Sequence, residues 1–271
     1  MFILSVQNKK QDNDVKKIIL ATIMSFGGVG STFAECTYNF DATLTQLQSL
    51  GNTSVQKFPT ITGNKFSYKT SQQSPIYMAF SQDYISRFLA ANDSSAMLYT
   101  RGDKVIPTTG IIAFEYKIKV PTLGNTGYVN IFPALAAGIM QNGKAVNFLV
   151  AYQHGPTANN FYIKTTSNDS MLVSDLFNLA PEVTSDGYQK IGIYINQNSN
   201  QVGLVFNGVN KGYFATFPSK LDNLYFSLTS NFYDLAVSDV NKDVSIEFLL
   251  DQSKITQTYP TGTKDICGVA L

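Results

Sequence analysis

Chemistry in this chain has few parts to work with. The sequence holds one histidine, two cysteines and no tryptophan, and its glutamates are Glu35, Glu115, Glu182 and Glu247. Acid and base work on a glycosidic bond asks for two carboxylates facing one substrate. Strand parity sets Glu247 and Asp251 on one side, with Leu249 between them, so they form a conceivable pair for a glycan hydrolase of atypical design. Glu115 alternates with Lys117 and Lys119 on a wet strand face and reads as a solvated surface charge. His154, in the run Tyr-Gln-His-Gly-Pro, reads as an exposed turn residue that a ligand could touch. No Gly-x-Ser-x-Gly turn offers a serine nucleophile, and one histidine with two pairing cysteines is too few ligands for a transition metal. Asp239, Asn241 and Asp243 have the alternate spacing of a calcium loop, but Val244 stands where the loop needs glycine, so a plain polar loop is expected. The sequence therefore predicts no catalytic residue, no metal and no cofactor.

Binding is better supplied than catalysis. Tyr162, Tyr194 and Tyr225 alternate with core aliphatic residues and so should face outward, accompanied by Asn196 and Asn231. An outward tyrosine flanked by amides suits a sugar, whose C–H face packs on the ring while its hydroxyls find donors and acceptors.

The elements that would carry these residues are mostly strands. In the segment 110–120, Ile112, Phe114, Tyr116, Ile118 and Val120 share one side, and Ala113, Glu115, Lys117 and Lys119 the other. Similar runs recur over 129–140, 146–152, 160–165, 189–196, 201–206, 224–235 and 244–250, separated by turn residues such as Asn207-Gly208. Before them, Leu44, Leu47 and Leu50 have helical spacing, and Ser81 can cap a second short helix over 82–91. The expected fold is all-β, an antiparallel two-sheet sandwich of the jelly-roll, lectin-like kind with one or two short helices near the N-terminus.

Residues 15–34 run from two lysines through an apolar stretch to small residues ending at Ala34, the layout of a cleavable export signal. The polar run before Val15 suits such a signal poorly, which points to translation starting at Val15. Residues 1–34 are thus expected to leave, and 35–271 to form a single domain in the periplasm or outside the cell. Their loss removes four lysines and two aspartates, leaving a net charge of −1 and no electrostatic footprint for nucleic acid. The apolar stretch is too short to span a bilayer, so the mature chain should carry no transmembrane segment. Cys36 and Cys267 are expected to pair, as an oxidising compartment allows.

The phrase Asp186-Gly-Tyr-Gln-Lys-Ile-Gly-Ile-Tyr-Ile-Asn196, followed by Val202-Gly-Leu-Val-Phe-Asn-Gly-Val209, resembles the paired core strands of concanavalin A-like lectins and glucanases. That resemblance implies a sandwich and a carbohydrate ligand. The glucanase branch also implies Glu-x-Asp-x-x-Glu on one strand, and none of the four glutamates has that company. The whole chain resembles a family of secreted Gram-negative bacterial proteins, which implies a compartment. Together these readings predict an exported, non-catalytic module for carbohydrate. The alternative is an envelope protein whose partner is another protein, held through an exposed strand edge.

Overall fold

A computed structural model describes residues 36–91, 101–124 and 128–271, so the expected export signal, its expected cut after Ala34 and the expected start at Val15 lie outside the described residues. Residues 36–271 form one compact unit.

Two helices appear where the sequence places them, α1 (Leu44–Gln48) and α2 (Gln82–Ala90). Thr43 and Gln46 close a capping box on α1, and the Ser81 hydroxyl accepts the Tyr84 N–H of α2. The early strands are short: β1 (Val55–Lys57), β2 (Thr60–Thr62), β3 (Lys65–Lys69), β4 (Ile76–Ala79) and β5 (Lys104–Val105). Long strands follow as β6 (Ile111–Lys119), β7 (Tyr128–Ile139), β8 (Ala145–Gly155) and β9 (Ala158–Ser167). Then come β10 (Val173–Ser174), β11 (Leu176–Leu179), β12 (Tyr188–Asn196), β13 (Gln201–Phe206) and β14 (Val209–Thr216). The series ends with β15 (Asn223–Tyr233), β16 (Asp243–Leu249) and β17 (Thr263–Lys264).

They build the expected two-sheet sandwich. An eight-stranded sheet runs β1-β4-β15-β7-β8-β9-β11, with β5 beside β15, and a nine-stranded sheet runs β10-β14-β13-β12-β6-β16-β3-β2, with β17 beside β6. All pairings are antiparallel except β1 with β4 and β17 with β6. Period-two alternation is the cause: Ile112, Phe114, Tyr116 and Ile118 of β6 are fully buried between the sheets, against Phe148 and Phe226 from the opposite layer. The β13–β14 hairpin turns on Asn207 and Gly208, both at positive φ (48° and 84°), the conformation an Asn-Gly turn supplies.

Cys36 and Cys267 are joined, across a sequence separation of 231 residues. On chain-entropy grounds a loop of this length contributes about 5 kcal/mol, by restricting the unfolded chain. The bond pins the C-terminal segment to the first described residue, and that segment covers part of one sheet.

Candidate functional site

The outward tyrosines obey parity but are not exposed. Tyr225 leaves the eight-stranded sheet only to stack under Tyr84 of α2, centroids 3.7 Å apart, and is 2% exposed. Tyr194 leaves the nine-stranded sheet, lies over Gly203, donates its hydroxyl to Asn210 Oδ1 (3.1 Å) and is 1% exposed beneath Tyr213 and Tyr259. Burial pushes both phenols above their usual pKa. Tyr162 is half-buried on β9, in the same sheet as Tyr225 and not that of Tyr194. Asn196 donates to the Tyr213 hydroxyl (3.0 Å), whereas Asn231 belongs to β15 and keeps a buried Oδ1 with no hydrogen-bond partner among the described residues. The three rings thus form no single exposed platform.

Other sequence expectations also change. His154 is not an exposed turn residue: β8 continues through it, it is 6% exposed, and its Nε2 bonds the Gly124 carbonyl (2.9 Å). Glu115 is not solvated but fully buried. Its carboxylate accepts the N–H groups of Thr256 and Gln257 (3.0 and 2.7 Å) and the hydroxyls of Thr256 and Tyr259 (both 3.0 Å). Asp251 accepts from Cys36 N–H (2.6 Å) and from Ser253, so it is committed to structure and makes no acid–base pair with Glu247. In the polar loop, Asp239 accepts Gly124 N–H (3.1 Å) and pairs with Lys242 (2.8 Å), while Asp243 pairs with Lys69 (3.0 Å).

Sequence reasoning missed a cluster on the outer face of the nine-stranded sheet. Its register lays cross-strand rows there. Ser245 faces Lys119, which faces Tyr188; Lys65 faces Glu247, which faces Lys117, which faces Lys190. The core residues Phe66, Ile246, Ile118 and Ile191 alternate with these and fix their direction outward. Lys117 Nζ sits 4.4 Å from the Tyr188 ring centroid, Lys65 Nζ 5.8 Å and Lys119 Nζ 6.0 Å. The Tyr188 hydroxyl reaches Ser245 Oγ (3.4 Å). Partial burial acts to raise its pKa, but the hydrogen bonds from Ser245 and Lys65 and the charges of Lys65 and Lys117 outweigh it, so the phenol lies below its ordinary value.

Tyr188 and Lys190 line a groove of about 250 Å³, walled by Ser185 and Asp186 on one side and by Thr256, Gln257 and Thr258 on the other. Glu115 holds that second wall in place, and Gly192 permits its approach, because a Cβ there would overlap the Tyr259 hydroxyl. Asp186 pairs with Lys117 (3.5 Å). Four lysines against Glu247 and Asp186 leave a local excess of two positive charges. A second cavity, about 330 Å³, is lined by Tyr152, His154, Asn159 and Gln189. It is larger, yet its polar groups are spent on one another and on the backbone: Tyr152 donates to Asn159 (2.7 Å) and Gln189 bonds the Glu182 main chain. The groove is the better site because the Tyr188 phenol and Lys190 line it, with Lys117 against the Tyr188 ring.

Fold and site define a two-sheet β-sandwich with a groove beside a lysine-rich cluster on one outer face. The chain belongs to the DUF4882 family, described as a domain of unknown function, whose model matches residues 16–269. No curated protein matches it. Among solved structures it is similar to a family 7 alginate lyase from Zobellia galactanivorans, at 11% identity over 67% of this chain and 78% of that one, with a TM-score of 0.34. An alginate lyase from Pseudomonas aeruginosa matches at 13% identity over 75% and 87%, TM-score 0.40. An endo-1,3-β-glucanase from Streptomyces sioyaensis matches at 11% identity over 55% and 66%, TM-score 0.39. The expectation of a non-catalytic carbohydrate module is corrected here, since the exposed tyrosine platform it required is absent from the described surface, Tyr194 and Tyr225 both being buried. Among the described residues no helix is long and apolar enough to cross a membrane.

Proposed function

We propose that the protein is exported and depolymerises an acidic polysaccharide, with Tyr188 as the group that moves the proton. The observation that carries this reading is a phenol held below its ordinary pKa, beside an open groove, among lysines. A sugar carboxylate acidifies the hydrogen on the adjacent C5, and ammonium groups that neutralise the carboxylate acidify it further. The Tyr188 phenolate takes that hydrogen, the C5–H electron pair becomes the C4=C5 bond, and the C4–O4 bond breaks. The departing O4 takes the proton back from Tyr188, so the step consumes no other reactant.

The export reading rests on residues 15–34, and an exported protein that begins at Glu35 is its check. The Cys36–Cys267 bond suits the periplasm or the cell exterior. A second reading, docking of another envelope protein, is favoured by β11 at the edge of its sheet and by the exposed Val173 and Leu176 nearby.

The enzyme reading is tested by offering the mature protein polygalacturonate, alginate, chondroitin and a neutral β-glucan. New unsaturated chain ends should arise from an acidic polymer and diminish as salt screens the lysines. Cleavage of the neutral glucan alone, or of nothing, would reject it.

A further inference from the structure

The lysines around the groove do not share one task. Lys65, Lys117 and Lys119 turn their ammonium groups to the Tyr188 ring, at 5.8, 4.4 and 6.0 Å from its centroid, and Lys117 is also paired with Asp186 (3.5 Å). The charges that lower the Tyr188 pKa are those of Lys65 and Lys117. Lys190 differs: it lines the groove with Tyr188, is half-buried, and its ammonium makes no ion pair or hydrogen bond among the described residues. Its neighbours in the lining are committed. Asp186 holds Lys117, the Asn207 amide donates to Glu182 and Gln189 (3.1 and 2.9 Å), and the Thr256 hydroxyl donates to Glu115 (3.0 Å). We propose that Lys190 binds the carboxylate of the sugar being cut, so that the protein requires a free, unesterified uronate at that place. This rests on the reading of the groove as the site where polysaccharide is cleaved.

An anion entering the groove breaks no internal pair to reach Lys190, whereas Lys117 would first have to leave Asp186. The contact strengthens as the reaction proceeds. When Tyr188 takes the C5 hydrogen, the electron pair left behind spreads into the adjoining carboxylate, and an ammonium already in place stabilises that added charge more than it stabilised the ground state. Lys190 keeps its own proton throughout. A methyl ester offers it no anion. The Lys190 main-chain N–H bonds Asn207 Oδ1 (2.8 Å) whatever the side chain, so Lys190→Met should melt with the wild type.

The test takes whichever of polygalacturonate, alginate and chondroitin the wild type cleaves, together with the carboxyl methyl ester of the same polymer. On the acid, Lys190→Met should lower kcat/KM by about 10²-fold, and Lys190→Arg, which keeps the charge, by less than about tenfold. The ester should be cut at the same rate by wild type and Lys190→Met, or by neither. Tyr188 should ionise in Lys190→Met where it does in the wild type, which separates lost carboxylate binding from a detuned phenol. A loss on the ester as steep as on the acid, an acid rate indifferent to Lys190→Met, or a Tyr188 ionisation shifted upward as far as in Lys117→Met would overturn the proposal and leave the role of Tyr188 standing. Cleavage of no acidic polymer by the wild type would remove both.

Discussion

Tyr188→Phe is expected to lower the rate of polysaccharide cleavage by about 10²–10⁴-fold, the range that a positioned acid–base group supplies. The substitution removes one oxygen. The ring keeps its place beneath Lys117, the hydrogen bond to Ser245 is long at 3.4 Å, and the half-buried Lys65 that also bonds the hydroxyl can turn to water, so folding stability should change by less than about 1 kcal/mol. The pH dependence follows from the sign of the shift. The phenolate fills as pH rises through a pKa held below the ordinary tyrosine value of about 10, so the rate climbs at a lower pH than an unshifted tyrosine would allow. Assays of Tyr188→Phe against wild type across this range, with a melting curve for each, separate a lost proton-transfer group from a damaged fold.

The second large effect is on stability. Glu115→Ala should cost about 3 kcal/mol and lower the melting temperature by roughly 6–12 °C, because the Thr256 and Gln257 N–H groups and the Tyr259 hydroxyl all lose their acceptor at once. Removing a buried charge offsets part of this, but the donors stay behind in a space the truncated side chain no longer fills. The 256–259 segment should then exchange its amide hydrogens faster than the sheet beneath it. Thermal melts read the first quantity and hydrogen exchange the second. A protein that melts within 1 °C of wild type, its Thr256 and Gln257 amides still protected, would mean that the segment is held by something other than Glu115.

These two residues mark how far the sequence could be read. The β6 strand and the β12–β13 hairpin were legible from alternation, since Ile112 to Ile118 and Ile191 to Ile195 keep a strict period of two and are all buried. The disulfide was legible from two cysteines in a chain whose start reads as an export signal. The β14 strand was not: Val-Asn-Lys-Gly-Tyr-Phe-Ala-Thr is exposed along its first half and shows no clean alternation. Parity told which side Tyr194, Tyr225 and Glu115 face, but not what lies over that side. Glu115 is covered by residues 141 and more positions later, and Tyr225 by a helix from the other end of the chain. The Tyr188 cluster needs β3, β16, β6 and β12 side by side, an order that no local pattern states. Lys117 and Lys119 on a wet face were the available signal, and they read as ordinary solvated charges until Tyr188 was placed beside them.

Titrating Tyr188 itself tests the account most directly. With tyrosines labelled at the ring and the Tyr188 signal assigned by its loss in Tyr188→Phe, the phenol should ionise below pH 10 and ahead of Tyr194 and Tyr225, which burial holds higher. It should move upward in Lys117→Met, which takes away the cation nearest its ring. A Tyr188 that titrates at or above 10, or is indifferent to Lys117, would contradict the claim that this lysine-ringed phenol is the reactive group of the groove.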